Sequence, residues 1–176
     1  MKTTRMFLPA ILGLAVAGVA FAADSSAKAV VRAEVNYAQP EKFTDVGYSY
    51  TPSEKERNAI LDEIREFIVG RADYYVPEGQ KLAITFTEID LAGEFEPWRG
   101  MQAMDIRVVK DIYPPKMDLE FKLTGADGKV LKEGKRQLRD LAFMMKLSLH
   151  HQDSLHFDKA LLEDWLSSEF PHRKTG

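Results

Sequence analysis

The sequence predicts an α+β domain, a mostly antiparallel sheet of four to five strands packed on one face by two amphipathic helices. Three observations carry this. Met117, Leu119, Phe121 and Leu123 alternate with Asp118, Glu120, Lys122 and Thr124, the period-two pattern of a half-buried strand. Ile60, Leu61, Ile64, Phe67 and Ile68 recur at helical spacing, and so do Phe157, Leu161, Leu162, Trp165 and Leu166. The order of segments is strand, helix, three or four strands, helix, with no internal repeat and no interdomain linker.

The elements follow in order. Residues Met1 to Ala22 have the three parts of a secretory signal: Lys2 and Arg5, an apolar run from Met6 to Val19, and Ala20-Phe21-Ala22 with small residues where a signal peptidase reads. That run falls short of the ~20 residues a bilayer span needs, so the expectation is cleavage after Ala22, a periplasmic location and no transmembrane span afterwards. Cleavage leaves 154 residues and, with Lys2 and Arg5 gone, a net charge of −5 in place of −3. Ala23 to Lys28 reads as a loose N-terminus, and the single α+β domain occupies 23–176. Ala29 to Tyr37 is the first strand, with Val31, Ala33 and Val35 on one side. Thr51-Pro52-Ser53-Glu54 starts the first helix, threonine capping and Glu54 completing a capping box. Its polar face carries Glu56, Arg57, Asp62, Glu63, Arg65 and Glu66, and Pro77-Glu78-Gly79 follows it.

Leu82, Ile84 and Phe86 mark a second strand, and Ile106 to Ile112 reads as a third. The alternating strand at 117–124 comes next. Gly125-Ala126-Asp127-Gly128 is turn chemistry, so Val130 to Leu138 returns as its hairpin partner, and its lysines and arginines suit a sheet edge. Leu141 to Leu149 fits either a strand, by alternation, or a helix, by its methionines and leucines. Phe157 to Phe170 is the second helix, stopped by Pro171.

Composition removes several function classes. The 176 residues include no cysteine, which excludes a disulfide framework, a thiolate zinc site, a cysteine nucleophile and a lipid anchor on an N-terminal cysteine. A formal net charge of −3 argues against a general nucleic-acid binder. There is no Gly-x-Ser-x-Gly elbow and no Gly-rich phosphate loop. His150, His151 and His156 lack a metal-ligand spacing, so no metal is expected there.

The segment Ile89-Asp90-Leu91-Ala92-Gly93-Glu94-Phe95-Glu96-Pro97-Trp98-Arg99-Gly100 is an unusual loop. With Asp105-Ile106-Arg107-Val108, Asp111-Ile112-Tyr113-Pro114-Pro115, Leu138-Arg139-Asp140-Leu141, Pro40-Glu41-Lys42-Phe43-Thr44-Asp45 and Leu161-Leu162-Glu163-Asp164-Trp165-Leu166, it resembles the secreted bacterial family called domain of unknown function 3016, over about Val30 to Phe170. The resemblance implies export and one small domain. It brings no activity, cofactor or residue role.

The loop itself offers chemistry. After Phe86 the second strand changes phase: Glu88 and Asp90 take the even positions, Ile89 and Leu91 the odd ones. Either a bulge flips the strand or the two carboxylates sit at the rim of the core, near Glu94, Glu96 and Arg99. Paired carboxylates can act as acid and base or hold a hard cation, whereas Arg99 can neutralise one of them in an ordinary ion-paired loop. Phe95, Pro97 and Trp98 either pack onto the sheet or form a rigid aromatic anchor, to which Tyr48, Tyr50 and Tyr113 can add. The function expected is a non-enzymatic binding module of the cell envelope. It uses no cofactor, and its partner is another envelope protein. The contact loop is Glu94, Glu96, Trp98 and Arg99, with Asp90 at its base. The alternative is a carboxylate-based enzyme or divalent-cation site built from Asp90, Glu94, Glu96 and Asp105.

Overall fold

The computed structural model describes residues 32–146 and 153–171; the expected signal, Met1 to Ala22, lies outside them. Strand β1 (Ala33–Tyr37) runs parallel to β2 (Lys81–Asp90), with Ala33 opposite Leu82 and Tyr37 opposite Phe86. A parallel pair needs a crossover, and helix α1 (Glu54–Tyr75) supplies it. The expected cap, Thr51, is displaced by two residues. The Ser53 hydroxyl accepts the Glu56 N–H at 3.2 Å, while the Glu56 carboxylate turns back to the Tyr48 N–H and the Ser49 hydroxyl. Residue 51 precedes Pro52 and is biased to extended backbone, so the helix starts only after the proline.

Two short strands follow, β3 (Glu94–Phe95) and β4 (Arg107–Val108), paired antiparallel as a separate sheet. The expected strand at Ile106 to Ile112 is thus reduced to two residues. Its natural neighbour, β5 (Lys116–Thr124), is already flanked on one side by β2 and on the other by β6 (Val130–Arg139). Ile106 and Ile112 are left exposed. The main sheet therefore has four strands in the order β1-β2-β5-β6, and α+β with a mostly antiparallel sheet is the observed class.

One face of that sheet is the core. Leu82, Ile84, Phe86, Met117, Leu119 and Phe121 lie under Ile60, Ile64 and Ile68 of α1 and under Leu162, Trp165 and Leu166 of α2 (His156–Glu169). Burying each such side chain stabilises the fold by about 1.5–3 kcal/mol before ordering costs. The opposite face is polar and laced with cross-strand ion pairs such as Lys135–Glu120 and Lys122–Glu133. The basic edge strand β6 is not wholly a solvated edge. Lys132 and Arg136 reach across to the buried Glu169 at the end of α2, Arg136 through two bonds of 2.7 and 2.9 Å. Over its described part, Leu141 to Lys146, the ambiguous segment is neither strand nor α-helix. It is a turn followed by a 3₁₀ turn at Phe143–Met145, pinned where Phe143 meets Phe157 edge-on at 4.8 Å.

The phase change in β2 is a bulge. Phe86 faces Leu119 and Glu88 faces Asp118, so Thr87 is the extra residue. Past it, Ile89 and Leu91 are buried.

Candidate functional site

Strand register decides what meets at this end of the molecule. Asp90 pairs with Lys116, Lys116 pairs with Arg139, and Asp45 bridges to Asp90. The segment around residue 45, the loop from Leu91 to Pro115 and the turn after Arg139 therefore leave the sheet side by side. Trp98, Met101, Ile106, Ile112, Leu141, Met144 and Met145 are exposed on those connections. Among the described residues, the other exposed large apolar groups beyond this end are few, Tyr74, Val130 and Leu131 among them.

The base of the loop is tight. Gly93 has φ +88°, and a Cβ there would stand 3.1 Å from the Val108 carbonyl oxygen; an L side chain fails on both counts. Its N–H donates to the Tyr113 carbonyl at 3.0 Å. Phe95 packs down into the interior, with the Arg107 guanidinium 4.5 Å above its ring. Trp98 does the opposite and is 69% exposed, and Met101 is 91% exposed. The aromatic pair of the sequence thus splits: Phe95 holds the loop down and Trp98 is presented.

Glu96 is 2% exposed and sits beneath Trp98 as a clamp. Lys110 and Arg99 both form ion pairs with it, and the Tyr113 hydroxyl donates to its Oε1 at 3.0 Å. The Lys110 ammonium outweighs the penalty of burial and, with Tyr113 and Arg99, holds the carboxyl below the usual carboxylate range. Burial and the hydrogen bond to Glu96 push the Tyr113 phenol up in turn. Asp90 is answered by Lys116 at 2.7 Å, and a Glu94 oxygen accepts the Phe95 N–H at 2.9 Å. Asp105 is exposed and accepts the Tyr50 N–H at 3.2 Å, which brings exposed Tyr50 to the same loop. Tyr48 is exposed beyond it, whereas Tyr113 faces inward to Glu96.

The site residues expected from sequence therefore divide. Trp98, Arg99 and Glu94 lie at or near the surface, Glu96 is buried beneath them, and Asp90 belongs to a cross-strand pair. Among the described residues no group of three His, Asp or Glu side chains is placed to hold a metal ion. His156 Nδ1 lies 2.6 Å from the Asp153 carbonyl, and its ring rests on Phe157; His150 and His151 lie outside the described residues. No described helix is long and apolar enough to cross a membrane.

Sequence reasoning passed over the group behind the loop. Arg107 donates to both oxygens of Asp45 at 2.7 and 2.8 Å and to the carbonyls of Gly47, Ala92 and Gly93 at 2.6, 3.4 and 3.3 Å. Beside it Asp158, 1% exposed, accepts the Ala92 N–H at 3.0 Å. A signal for Asp158 existed. It lies three and four residues before Leu161 and Leu162, on the apolar stripe of α2, where a charge is out of place.

The sequence profile of one protein family, described as Protein of unknown function (DUF3016), matches residues 31–168. The match spans α1, all six strands, the whole loop and α2 except its last residue, Glu169. No curated protein and no solved structure matches the chain.

Proposed function

We propose that this chain, which belongs to the DUF3016 family, is an exported domain of the cell envelope that binds another envelope protein through its aromatic loop. One observation carries the reading: a large indole and a large thioether, Trp98 and Met101, are held out to solvent on a loop whose base is clamped by Glu96. Exposing such groups gains nothing for the fold, and a pre-ordered loop loses little freedom on docking. Trp is also the residue class that dominates interface energetics. Trp98 and Met101 form the contact, Arg99 and Glu94 flank it, and Glu96 acts from below by fixing the loop. The charged start, short apolar run and Ala-Phe-Ala ending of Met1 to Ala22 support export.

The test is a photo-crosslinking side chain at position 98 in cells that make the protein, with the same group at Glu120 on the polar sheet face as control. A discrete protein adduct is expected from position 98 alone, lost in the Met101→Asp background. Equal labelling from both positions, or none from position 98, would sink the idea. Against the partner so identified, Trp98→Ala is expected to weaken binding about 30-fold, the scale of an aromatic hot spot. Mass measurement of the secreted chain checks export separately, since it is expected to begin at Ala23.

A further inference from the structure

Two carboxylates and one guanidinium meet where the loop joins α2. Arg107 is committed to Asp45 by a two-pronged pair, and its remaining bonds go to backbone carbonyls. Asp158, completely enclosed, is left with the Ala92 N–H and with its own backbone N–H. With all three groups ionised the cluster carries one negative charge in excess. An uncompensated charge in the interior is costly, and one proton removes it.

The elements packed against Asp158 are the first turn of α2, the Leu91–Gly93 segment, β4 and the residue-45 segment. Among the described residues, the charged groups acting on Asp158 are Arg107 from β4 and Asp45. The first disfavours protonation and the second favours it. We propose that the Asp45–Arg107–Asp158 cluster is a proton-operated latch: a proton on Asp158 closes the junction between α2 and the Trp98 loop, and its release loosens that junction by drawing water to the bare carboxylate. In support, burial pushes the Asp158 carboxyl up to about 7 against the pull of the Ala92 N–H and Arg107, within the range where cells change pH.

The direction is fixed by linkage. An unfolded aspartate titrates near 3.9, so between about pH 4 and pH 7 the folded protein holds one more proton than the unfolded chain. The stabilisation is fully present below that window and is lost as pH rises through about 7, by up to about tenfold in the folding equilibrium per pH unit. The latch is independent of whether the loop's partner is a protein.

The experiment is carboxyl-carbon NMR on the purified protein, with the Asp158 signal identified by its loss in Asp158→Asn, together with hydrogen exchange at the Ala92 amide. The expected result is an Asp158 midpoint between about pH 6 and pH 8. Ala92 protection, corrected for intrinsic exchange, is expected to fall roughly tenfold from about pH 6 to pH 8. Asp158→Asn is expected to abolish that fall. Asp45→Asn frees the guanidinium for Asp158 and is expected to drop its midpoint by at least about one pH unit. A wild-type midpoint below about 5, or Ala92 protection that does not change with pH, would overturn the latch even if neither variant folds.

Discussion

Glu96 and Asp158 are both carboxylates taken almost wholly out of water at the same end of the fold, yet they are driven in opposite directions. Glu96 faces an ammonium, a guanidinium and a phenol, and its carboxyl is held below the usual range. Asp158 stands beside a guanidinium already claimed by another carboxylate, and its carboxyl is pushed up to about 7. Burial alone therefore does not decide the charge of an interior acid; the ratio of cations to carboxylates around it does. Glu169 follows the Glu96 pattern: burial disfavours its charge, but Arg136 and Lys132 outweigh burial and the carboxyl is lowered.

The sharpest way to break this comparison is Arg107→Met. It leaves Asp45 and Asp158 facing each other without a cation, and breaking a buried pair in this way costs about 3–5 kcal/mol. Chemical denaturation above pH 7 should register that loss, and less of it at about pH 5, where Asp158 holds its proton. An equal loss at both pH values would contradict the charge count. Next in size is Glu96→Gln, which removes the charge shared by Lys110, Arg99 and Tyr113. Faster hydrogen exchange at the 3₁₀ turn of residues 97–99 is expected, with the Asp158 midpoint unchanged. The pH dependence of this clamp has the opposite sign to the latch: the lowered carboxyl of Glu96 contributes stability above about 4.3, the unfolded value, and loses it as pH falls through its folded value. The smallest effect on the fold is expected from Trp98→Ser. Replacing a side chain that is 69% exposed should change stability by no more than about 0.5 kcal/mol, although the same change removes the group proposed to bind. A large drop in melting temperature would mean that the indole is part of the fold after all.

Much of the framework was legible in the sequence because each of its signals is local. Alternation at 117–124 and helical spacing at 60–68 and 161–166 depend only on neighbours a few residues apart, and they gave the sheet, the helices and the buried face correctly. The misreadings arise where the deciding partner is distant. Ile106 to Ile112 has the composition of a strand, but both sides of β5 are taken by β2 and β6. Glu96 is expected in the contact loop, with Arg99 able to neutralise a carboxylate there, but Lys110 and Tyr113, fourteen and seventeen residues away, also close over it. The Asp158 contact spans 66 residues and the Arg107–Asp45 pair 62, and no window along the chain contains either.

Thr87 gives the bulge a meaning beyond strand geometry. A strand counts its residues by parity, and every side chain after Phe86 inherits its face from whether one more residue has been added. With Thr87 inserted, Ile89 and Leu91 fall inward and Asp90 is turned to Lys116. Without it, Glu88 and Asp90 would point at the core and the two apolar residues at water. The single extra residue works like a frameshift written in backbone, one that sets which characters of the downstream message are read by the interior and which by the solvent.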